Sequence, residues 1–280
     1  MIALERQRHA IPAKYRGDKL QELLDRLALG YYEFNGKIPF NTQKSRFQQW
    51  KQAKPALVAE SHNKCAYCES PTSMVAHGDV EHFRPKDIYW WLAFSYDNYT
   101  YCCQLCNQKF KGANFPVSGN PLKVPVKFPR NQPATAKLRG LAQALCLDPA
   151  TDNHAALRSL FKAEGAHLPH PYLDEPEKLF AWEADDANRE VRLIPNGNGA
   201  AARRAVEAAT AFLGLNRQDL ARLRYAQYSL VQAHALVIQA SNQAAVRQLA
   251  LNALQTAARA DQPYAGMTRY FLRTWGILEK

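Results

Sequence analysis

The sequence has no apolar run close to the roughly 20 residues that a helix needs to cross a bilayer. Its best candidates, residues 89–94 and 234–238, stop within six residues. The first thirty residues carry too many charges for the uninterrupted apolar stretch of a secretory signal. We therefore expect no membrane insertion and a cytoplasmic location, where the six cysteines serve as metal ligands or buried thiols rather than disulfides.

The sequence also lacks a proline- or glycine-rich stretch typical of low complexity, since 16 prolines and 13 glycines in 280 residues are ordinary usage, and no internal repeat is evident. This composition excludes a collagen-like chain and a low-complexity disordered one. Apolar side chains make up 47% of the chain and charged ones 22%. That balance is typical of a globular protein of one or two domains with a sizeable core.

Positive charge is in excess and lies mainly in the first half of the chain. The sequence has 36 lysines and arginines against 25 acidic residues, a formal net charge of +11. Residues 1–150 hold 21 of the basic residues and 12 of the acidic ones. This surplus predicts a polyanionic partner such as nucleic acid, because neutralising phosphates releases bound counterions. Solubility is the alternative explanation that charge alone leaves open.

The pattern along the chain predicts an α+β fold that is mostly helical, in four segments. Residues 1–60 form an N-terminal helical segment, with one helix over residues 19–29 ended by Gly30 and a second that starts after Asn41 or Thr42. The first helix carries four leucines on one face: Leu20, Leu23, Leu24 and Leu27. The basic residues of the second are interpreted as a solvated face: Lys44, Arg46, Lys51 and Lys54.

Residues 61–117 form the second segment, which is rich in cysteine, histidine and aromatic residues. Residues 118–199 form an irregular, mixed third segment that begins in a stretch punctuated by prolines. A short helix is expected there over residues 137–147, and the apolar runs of residues 155–195 predict strands or hairpins. Residues 200–280 form a region of about four helices. In one of these, with Asn216 as its N-cap, six apolar residues share a face: Leu220, Leu223, Ala226, Leu230, Ala233 and Val237.

Two CxxC pairs lie in residues 61–117. Cys65 and Cys68 form the first, Cys103 and Cys106 the second, and 34 residues separate them. Each pair presents two thiolates from one tight turn, and four thiolates fill the tetrahedral coordination of zinc. The spacing therefore predicts a structural zinc site, with redox-active or merely buried cysteines as the alternative.

A second motif lies between and after the two pairs. Residues 79–82 read Asp-Val-Glu-His, Asn98 follows 16 residues after the histidine, and Asn107 comes directly after the second pair. This arrangement resembles the HNH endonuclease family over about 50 residues. In that family two strands and one helix form a ββα-metal finger, often braced by zinc knuckles, that straddles the scissile phosphate.

The resemblance implies a catalytic role for each of the four matching residues. His82 is the general base that takes a proton from the attacking water. Glu81 and Asn107 are the ligands of a catalytic Mg²⁺ or Mn²⁺, and Asn98 holds the loop that carries His82. Nearby basic residues are candidates for phosphate contacts, with Lys109 favoured: Lys109, Lys111, Arg84 and Lys86.

Two departures from the family pattern qualify these roles. Glu81 stands where most members have aspartate, and Asn107 stands where many have histidine. Oxygen ligands favour Mg²⁺ or Mn²⁺ over Zn²⁺ at the catalytic position. The same departures leave open a degenerate unit without turnover.

A narrower resemblance extends over about residues 60–217. It rests on short blocks at residues 65–70, 81–86, 106–109, 114–116, 147–149 and 213–217. They look like the subgroup that includes the PtuB nucleases of Septu-type and retron-type anti-phage systems, in which the nuclease accompanies an ATPase. The sequence thus predicts a metal-dependent endonuclease acting on DNA, with RNA as an alternative substrate, in bacterial defence. A zinc-knuckle protein that binds nucleic acid or acts as a scaffold is the competing hypothesis.

Overall fold

The computed structural model describes residues 1–40, 46–72, 78–151 and 153–279. About half of the chain is helical and two small antiparallel sheets are present, which confirms the predicted α+β class. The helices and strands are α1 (Gly17–Glu33), α2 (Lys54–Glu60), β1 (Asp79–His82), β2 (Tyr99–Cys102), a π-helix (Leu105–Lys111), α3 (Thr135–Gln143), α4 (His154–Lys162), α5 (Pro176–Leu179), β3 (Phe180–Asp185), β4 (Glu190–Pro195), α6 (Ala200–Leu213), α7 (Gln218–Ala240), α8 (Ala244–Ala257) and α9 (Ala265–Thr274). Short 3₁₀ turns cover Arg8–Ala10, Ala13–Tyr15, Trp50–Ala53, Trp90–Leu92 and Tyr96–Asn98.

Helix α1 buries the four leucines that the sequence placed on one face. The prediction that Gly30 ends this helix is wrong, because α1 continues to Glu33. A Cβ at Gly30 would lie 2.5 Å from the ring of Phe47, so the glycine allows close packing rather than a turn. The predicted start of the second helix, after Asn41 or Thr42, lies outside the described residues.

A first hydrophobic core joins the N-terminal helices to the middle of the chain. It contains the leucines of α1, aromatic residues between 89 and 101, and apolar residues of α3 and α4. Most of the aromatic residues between the two CxxC pairs are therefore buried in this core. Helix α4 was missed by the sequence analysis, which predicted only strands or hairpins there.

Strands β1 and β2 form an antiparallel hairpin in which Asp79 pairs with Cys102 and His82 with Tyr99. The π-helix follows β2 after two residues. Such helices are rare and are frequently found at functional sites. We call β1, β2 and the π-helix the hairpin–helix unit.

The C-terminal part of the chain has the β3–β4 hairpin and then four helices, as predicted. A second hydrophobic core joins this region to the CxxC pairs, since Cys65, Cys68 and Cys106 pack with residues of β3, β4, α6, α7 and α9. Gly214, at the C-terminus of α6 with φ +61°, lies so close to Phe110 that a Cβ would come within 2.5 Å of the ring. The C-terminal helices are thus packed directly against the hairpin–helix unit.

Two details of α7 differ from the sequence prediction. Asn216 is not its N-cap, because the Asn216 amide exchanges hydrogen bonds with the backbone N and O of Leu193 in β4 at 2.8 and 2.9 Å. Of the predicted apolar face only Leu220 is buried. Leu223 and Leu230 are 57% and 61% exposed. None of the helices in the described part of the chain is both long and apolar enough to span a bilayer.

Candidate functional site

The four cysteines of the two CxxC pairs lie together in the fold. The Sγ atoms of Cys65, Cys68, Cys103 and Cys106 are all within 4.8 Å of one another, and those of Cys68 and Cys103 are 3.9 Å apart. Zinc–sulfur bonds of about 2.3 Å in a tetrahedron put sulfurs about 3.8 Å apart, so the cluster fits a zinc ion. The turn in each CxxC pair also stabilises the sulfurs, because the backbone N–H groups of Cys68 and Cys106 point at the Sγ atoms of Cys65 and Cys103, with N to S distances of 3.5 Å.

Two arginines from the C-terminal region surround this cysteine cluster. Arg217 Nη1 lies 3.8 Å from Cys106 Sγ. Arg224 is 1% exposed and donates to the carbonyl of Leu215, and burial lowers its pKa to about 10. Four thiolates on a divalent zinc leave two negative charges, which these guanidinium groups are placed to balance. Arg217 was not predicted to lie at the cysteine cluster, although it belongs to the block of residues 213–217 that carries part of the narrower resemblance.

A cleft of about 560 Å³ opens on another side of the hairpin–helix unit. Three parts of the chain line it: Trp50, Lys51 and Lys54 from the 3₁₀ turn and α2, residues 78–82 and 85–87 from β1 and its following loop, and residues 107–108 and 112–113 from the π-helix and its end. The structure thus brings His82, Glu81 and Asn107 into one cavity. Asn98, the fourth predicted catalytic residue, lies behind it.

His82 is held by one hydrogen bond and two ring contacts. Its Nε2 lies 3.1 Å from the carbonyl oxygen of Ala93, and its ring is edge-on to Trp50 at 4.9 Å and to Tyr99 at 5.1 Å. Because a carbonyl can only accept, Nε2 carries the proton and Nδ1 keeps a free lone pair. Burial, aided by the charge of Lys86, lowers the pKa of His82 to about 3 and keeps the ring neutral.

Asn98 fixes the backbone that follows His82. Its Oδ1 accepts from the N–H of Arg84 at 2.8 Å and its Nδ2 donates to the carbonyl of Arg84 at 3.0 Å. The N–H of Phe83 also donates to the backbone oxygen of Asn98. All of these groups are buried, so the loop has little freedom to move. The importance of this contact for catalysis stays a prediction.

Glu81 is paired with a buried lysine. Lys111 Nζ lies 2.5 Å from Glu81 Oε1 and donates to the carbonyl of His82 at 3.1 Å. This ion pair neutralises the buried carboxylate. Burial raises the pKa of Glu81, and the Lys111 charge opposes that shift. One lysine therefore ties the strand, the carboxylate and the π-helix together.

Asn107 contacts Asp79 rather than Glu81. The amide nitrogens of Asn107 and Gln108 both donate to Asp79 Oδ2, at 3.2 and 2.8 Å. Asp79 was not among the residues for which a catalytic role was predicted from the sequence. In the structure it holds the first turn of the π-helix against β1.

The oxygen groups on this side of the cleft suit a hard cation. Asp79 and Glu81 offer carboxylates, and Asn107 turns its NH₂ toward Asp79, which leaves its Oδ1 available. Glu81 Oε1 already pairs with the Lys111 ammonium, so a cation would share this carboxylate with the lysine. Carboxylate and amide oxygens are the ligands that Mg²⁺ and Mn²⁺ prefer, so the donor set fits such an ion.

The structure buries two of the residues that were predicted to contact phosphate. Arg84 is 1% exposed, with its Nε bound to the Glu164 carboxylate at 2.6 Å and its guanidinium over the ring of Phe161. Lys111 is fully buried in its pair with Glu81. Neither side chain presents its charge to a ligand in solution. Lys109 is exposed on the outer side of the π-helix and does not line the cleft.

Three other lysines line the cleft instead. Lys86 was among the weaker candidates of the sequence analysis, while Lys51 and Lys54 were interpreted as a solvated face. Nothing in the sequence signals that α2 packs beside β1. Only the fold brings these residues to His82.

Comparison with known proteins gives two curated relatives, both named Septu protein PtuB. The one from Bacillus mycoides (strain KBAB4) is 33% identical over 104 residues, which are 32% of this chain and 34% of the relative. The one from Bacillus thuringiensis is 42% identical over 57 residues, 20% of this chain and 22% of the relative. The similarity thus spans about a third of the relatives' length or less. No family model and no solved structure matches the chain.

Proposed function

We propose that the chain is a metal-dependent HNH-type endonuclease that hydrolyses phosphodiester bonds, most readily those of DNA. One observation carries the proposal: His82, Glu81 and Asn107, predicted from sequence alone as base and metal ligands, line the same cleft. The hairpin–helix unit has the strand, strand and helix order of a ββα-metal finger. A cysteine cluster that fits structural zinc braces its base.

The roles of the side chains follow from their contacts. With its proton on Nε2 held by Ala93, His82 can accept a second proton at Nδ1 from a water that attacks phosphorus. The bond from phosphorus to O3′ breaks and O3′ takes a proton from a second water, which leaves a 5′-phosphate and a 3′-hydroxyl. Asn98 keeps the His82 loop in place during this step. Asp79, Glu81 and Asn107 would hold a Mg²⁺ or Mn²⁺ ion, which stabilises negative charge on the phosphoryl and leaving oxygens.

The direct test is cleavage of plasmid DNA by purified protein with Mg²⁺ or Mn²⁺. We expect His82→Ala to lower the rate by about 10²- to 10⁴-fold, the usual contribution of a general base, with zinc content unchanged. His234→Ala is the matched control, since this residue lies on α7 and outside the cleft. Unaltered cleavage by His82→Ala would reject His82 as the base.

A second function is favoured by one observation. The Lys111 ammonium lies beside Glu81 and already neutralises it. If Lys111 stays paired with Glu81, the carboxylate would not bind a catalytic cation, and the protein would bind nucleic acid through the same cleft without cleaving it. Binding of DNA by the wild-type protein with no cleavage under any divalent cation would support this alternative.

We further propose that the protein acts in anti-phage defence together with a partner protein, which the resemblance suggests is an ATPase. The similarity to Septu protein PtuB supports the defence role. Plaque assays in a bacterial host carrying the chain with its neighbouring genes would test it. Protection should depend on His82, and protection retained by His82→Ala would contradict a nuclease effector.

The partner's docking surface is proposed on α7. Leu223, Leu230 and Val237 form an exposed stripe with a spacing of seven residues, and Leu249 of α8 is 72% exposed. Leucines at seven-residue steps suit contact with a helix of another protein. The paired change Leu223→Glu and Leu230→Glu should abolish co-purification, while Leu160→Glu on α4 serves as control. Full retention of the partner would exclude this surface.

A further inference from the structure

The cleft beside His82 has a second wall, which does not belong to the hairpin–helix unit. Trp50, Lys51 and Lys54 belong to the 3₁₀ turn and α2, which pack beside β1. Lys86 reaches the cleft from the loop after β1. We call Lys51, Lys54 and Lys86 the lysine wall.

We propose that the lysine wall binds the nucleic-acid backbone next to the phosphate that His82 serves. The proposal rests on the proposed function, in that it assumes a nucleic acid as the occupant of the cleft. It moves backbone binding from Arg84, Lys109 and Lys111 to Lys86 and to two lysines outside the HNH motif, Lys51 and Lys54.

The cleft contains charges of both signs. Asp79 and Glu81 lie on β1, where they would hold a cation, whereas Lys51 and Lys54 come from the 3₁₀ turn and α2. Within the described part of the chain, no member of the lysine wall takes part in a salt bridge, whereas Lys111 is fully paired. Unpaired ammonium groups that share a cleft with oxygen ligands suit a phosphodiester, which needs cations on both sides.

Trp50 connects this wall to the predicted base. Its indole is edge-on to the His82 ring at 4.9 Å, and the Lys86 ammonium lies 5.4 Å from the centre of the same indole. A cation near an aromatic face is held there by the ring's charge distribution. A phosphate that binds Lys86 would therefore lie close to His82.

The test is the double change Lys51→Glu and Lys54→Glu, measured by fluorescence anisotropy of a labelled DNA duplex in buffer without added Mg²⁺ or Mn²⁺. We expect at least tenfold weaker binding, and a slope of log affinity against log salt that is smaller by about 2, close to 0.9 per lost phosphate contact. Lys123→Glu with Lys127→Glu is the matched control. It makes the same charge change on exposed residues that do not line the cleft. In cleavage assays the first pair should raise KM and leave kcat within a few-fold.

The outcomes separate this inference from the proposed function. Equal losses in both double variants, or wild-type binding by the Lys51 and Lys54 variant, would overturn the lysine wall even if the protein cuts DNA. Loss of binding confined to that variant would support the wall even if no cleavage is found. Failure of the wild-type protein to bind either duplex or single-stranded nucleic acid would overturn both.

Discussion

The cysteine cluster and the cleft both include residues of the π-helix, yet they differ in burial and in the chemistry of their side chains. Cys106 and Asn107 are consecutive residues of the π-helix; the first is buried in the cluster and the second lines the cleft. The cluster consists of four sulfurs enclosed by core residues and arginines. The cleft has oxygen donors, a histidine and lysines around an open cavity.

This difference indicates that the cysteine cluster stabilises the fold, whereas the cleft binds and acts on a ligand. Four cysteines leave zinc no coordination position for a substrate, so the cluster can only hold the chain together. Because Cys106 precedes Asn107, a zinc held by the cluster would also fix where the cleft begins. Changes at the cluster should therefore act on folding, and changes in the cleft on binding and turnover.

The largest effect is expected at the cluster. Cys103→Ala removes one of four ligands of a site of a kind that contributes about 10–16 kcal/mol in zinc-finger peptides. We expect zinc content below a tenth of the wild type and loss of the cooperative melting transition. Metal analysis and circular dichroism measure both.

Cys102→Ala is the control, since Cys102 is the buried neighbour in β2 and lies outside the cluster. It should keep its zinc and lose about 1 kcal/mol. If Cys102→Ala lost zinc and Cys103→Ala kept it, the assignment of ligands would be wrong.

A smaller loss of stability is expected at Asn98, whose side chain holds the backbone behind the cleft. Asn98→Ala leaves the buried N–H and carbonyl of Arg84 without partners, which should cost about 2–4 kcal/mol of unfolding free energy. The loosened His82 loop should lower cleavage at least tenfold, because small misplacements of a catalytic group are costly. Chemical denaturation and rate measurements at saturating DNA test the two parts.

The contrast is Asn114→Ala, in which an exposed asparagine loses its bonds to the carbonyls of Phe110 and Lys111. That variant should lose less than about 1 kcal/mol, because water replaces the exposed partner. Equal losses in the two variants would show that the burial of Asn98 is not what matters.

The surroundings of the zinc should show a weaker effect still. Arg217→Ala removes the guanidinium 3.8 Å from Cys106 Sγ, and partners of this kind typically change metal affinity by about 10- to 100-fold. Competition with a chelator measures the zinc affinity. Arg247→Ala, on the exposed side of α8, should leave it unchanged. Unchanged affinity in Arg217→Ala would show that the guanidinium does not balance the thiolates.

The sequence predicted the position of a residue correctly where its contacts are with residues nearby in the chain, and failed where they are with distant ones. The CxxC spacing and the leucines of α1 are local patterns, and the structure has both as expected. Arg84 was taken for a phosphate ligand because its partner, Glu164, is 80 residues away. In the same way, no local pattern shows which apolar face of α7 meets the core. Leu223 and Leu230 therefore looked buried in sequence but are exposed.

The smallest effect on DNA binding is expected at Lys109, the residue that the sequence favoured as a phosphate contact. Lys109 is exposed on the outer side of the π-helix, away from the lining of the cleft. Its charge is screened by salt, so Lys109→Glu should weaken DNA binding less than about twofold, or about 0.4 kcal/mol, at 0.15 M salt. Lys54→Glu changes the same charge inside the cleft and should weaken binding several-fold in the same anisotropy assay. If Lys109→Glu had the greater effect, the backbone would run along the outside of the π-helix and the cleft would have to take another ligand.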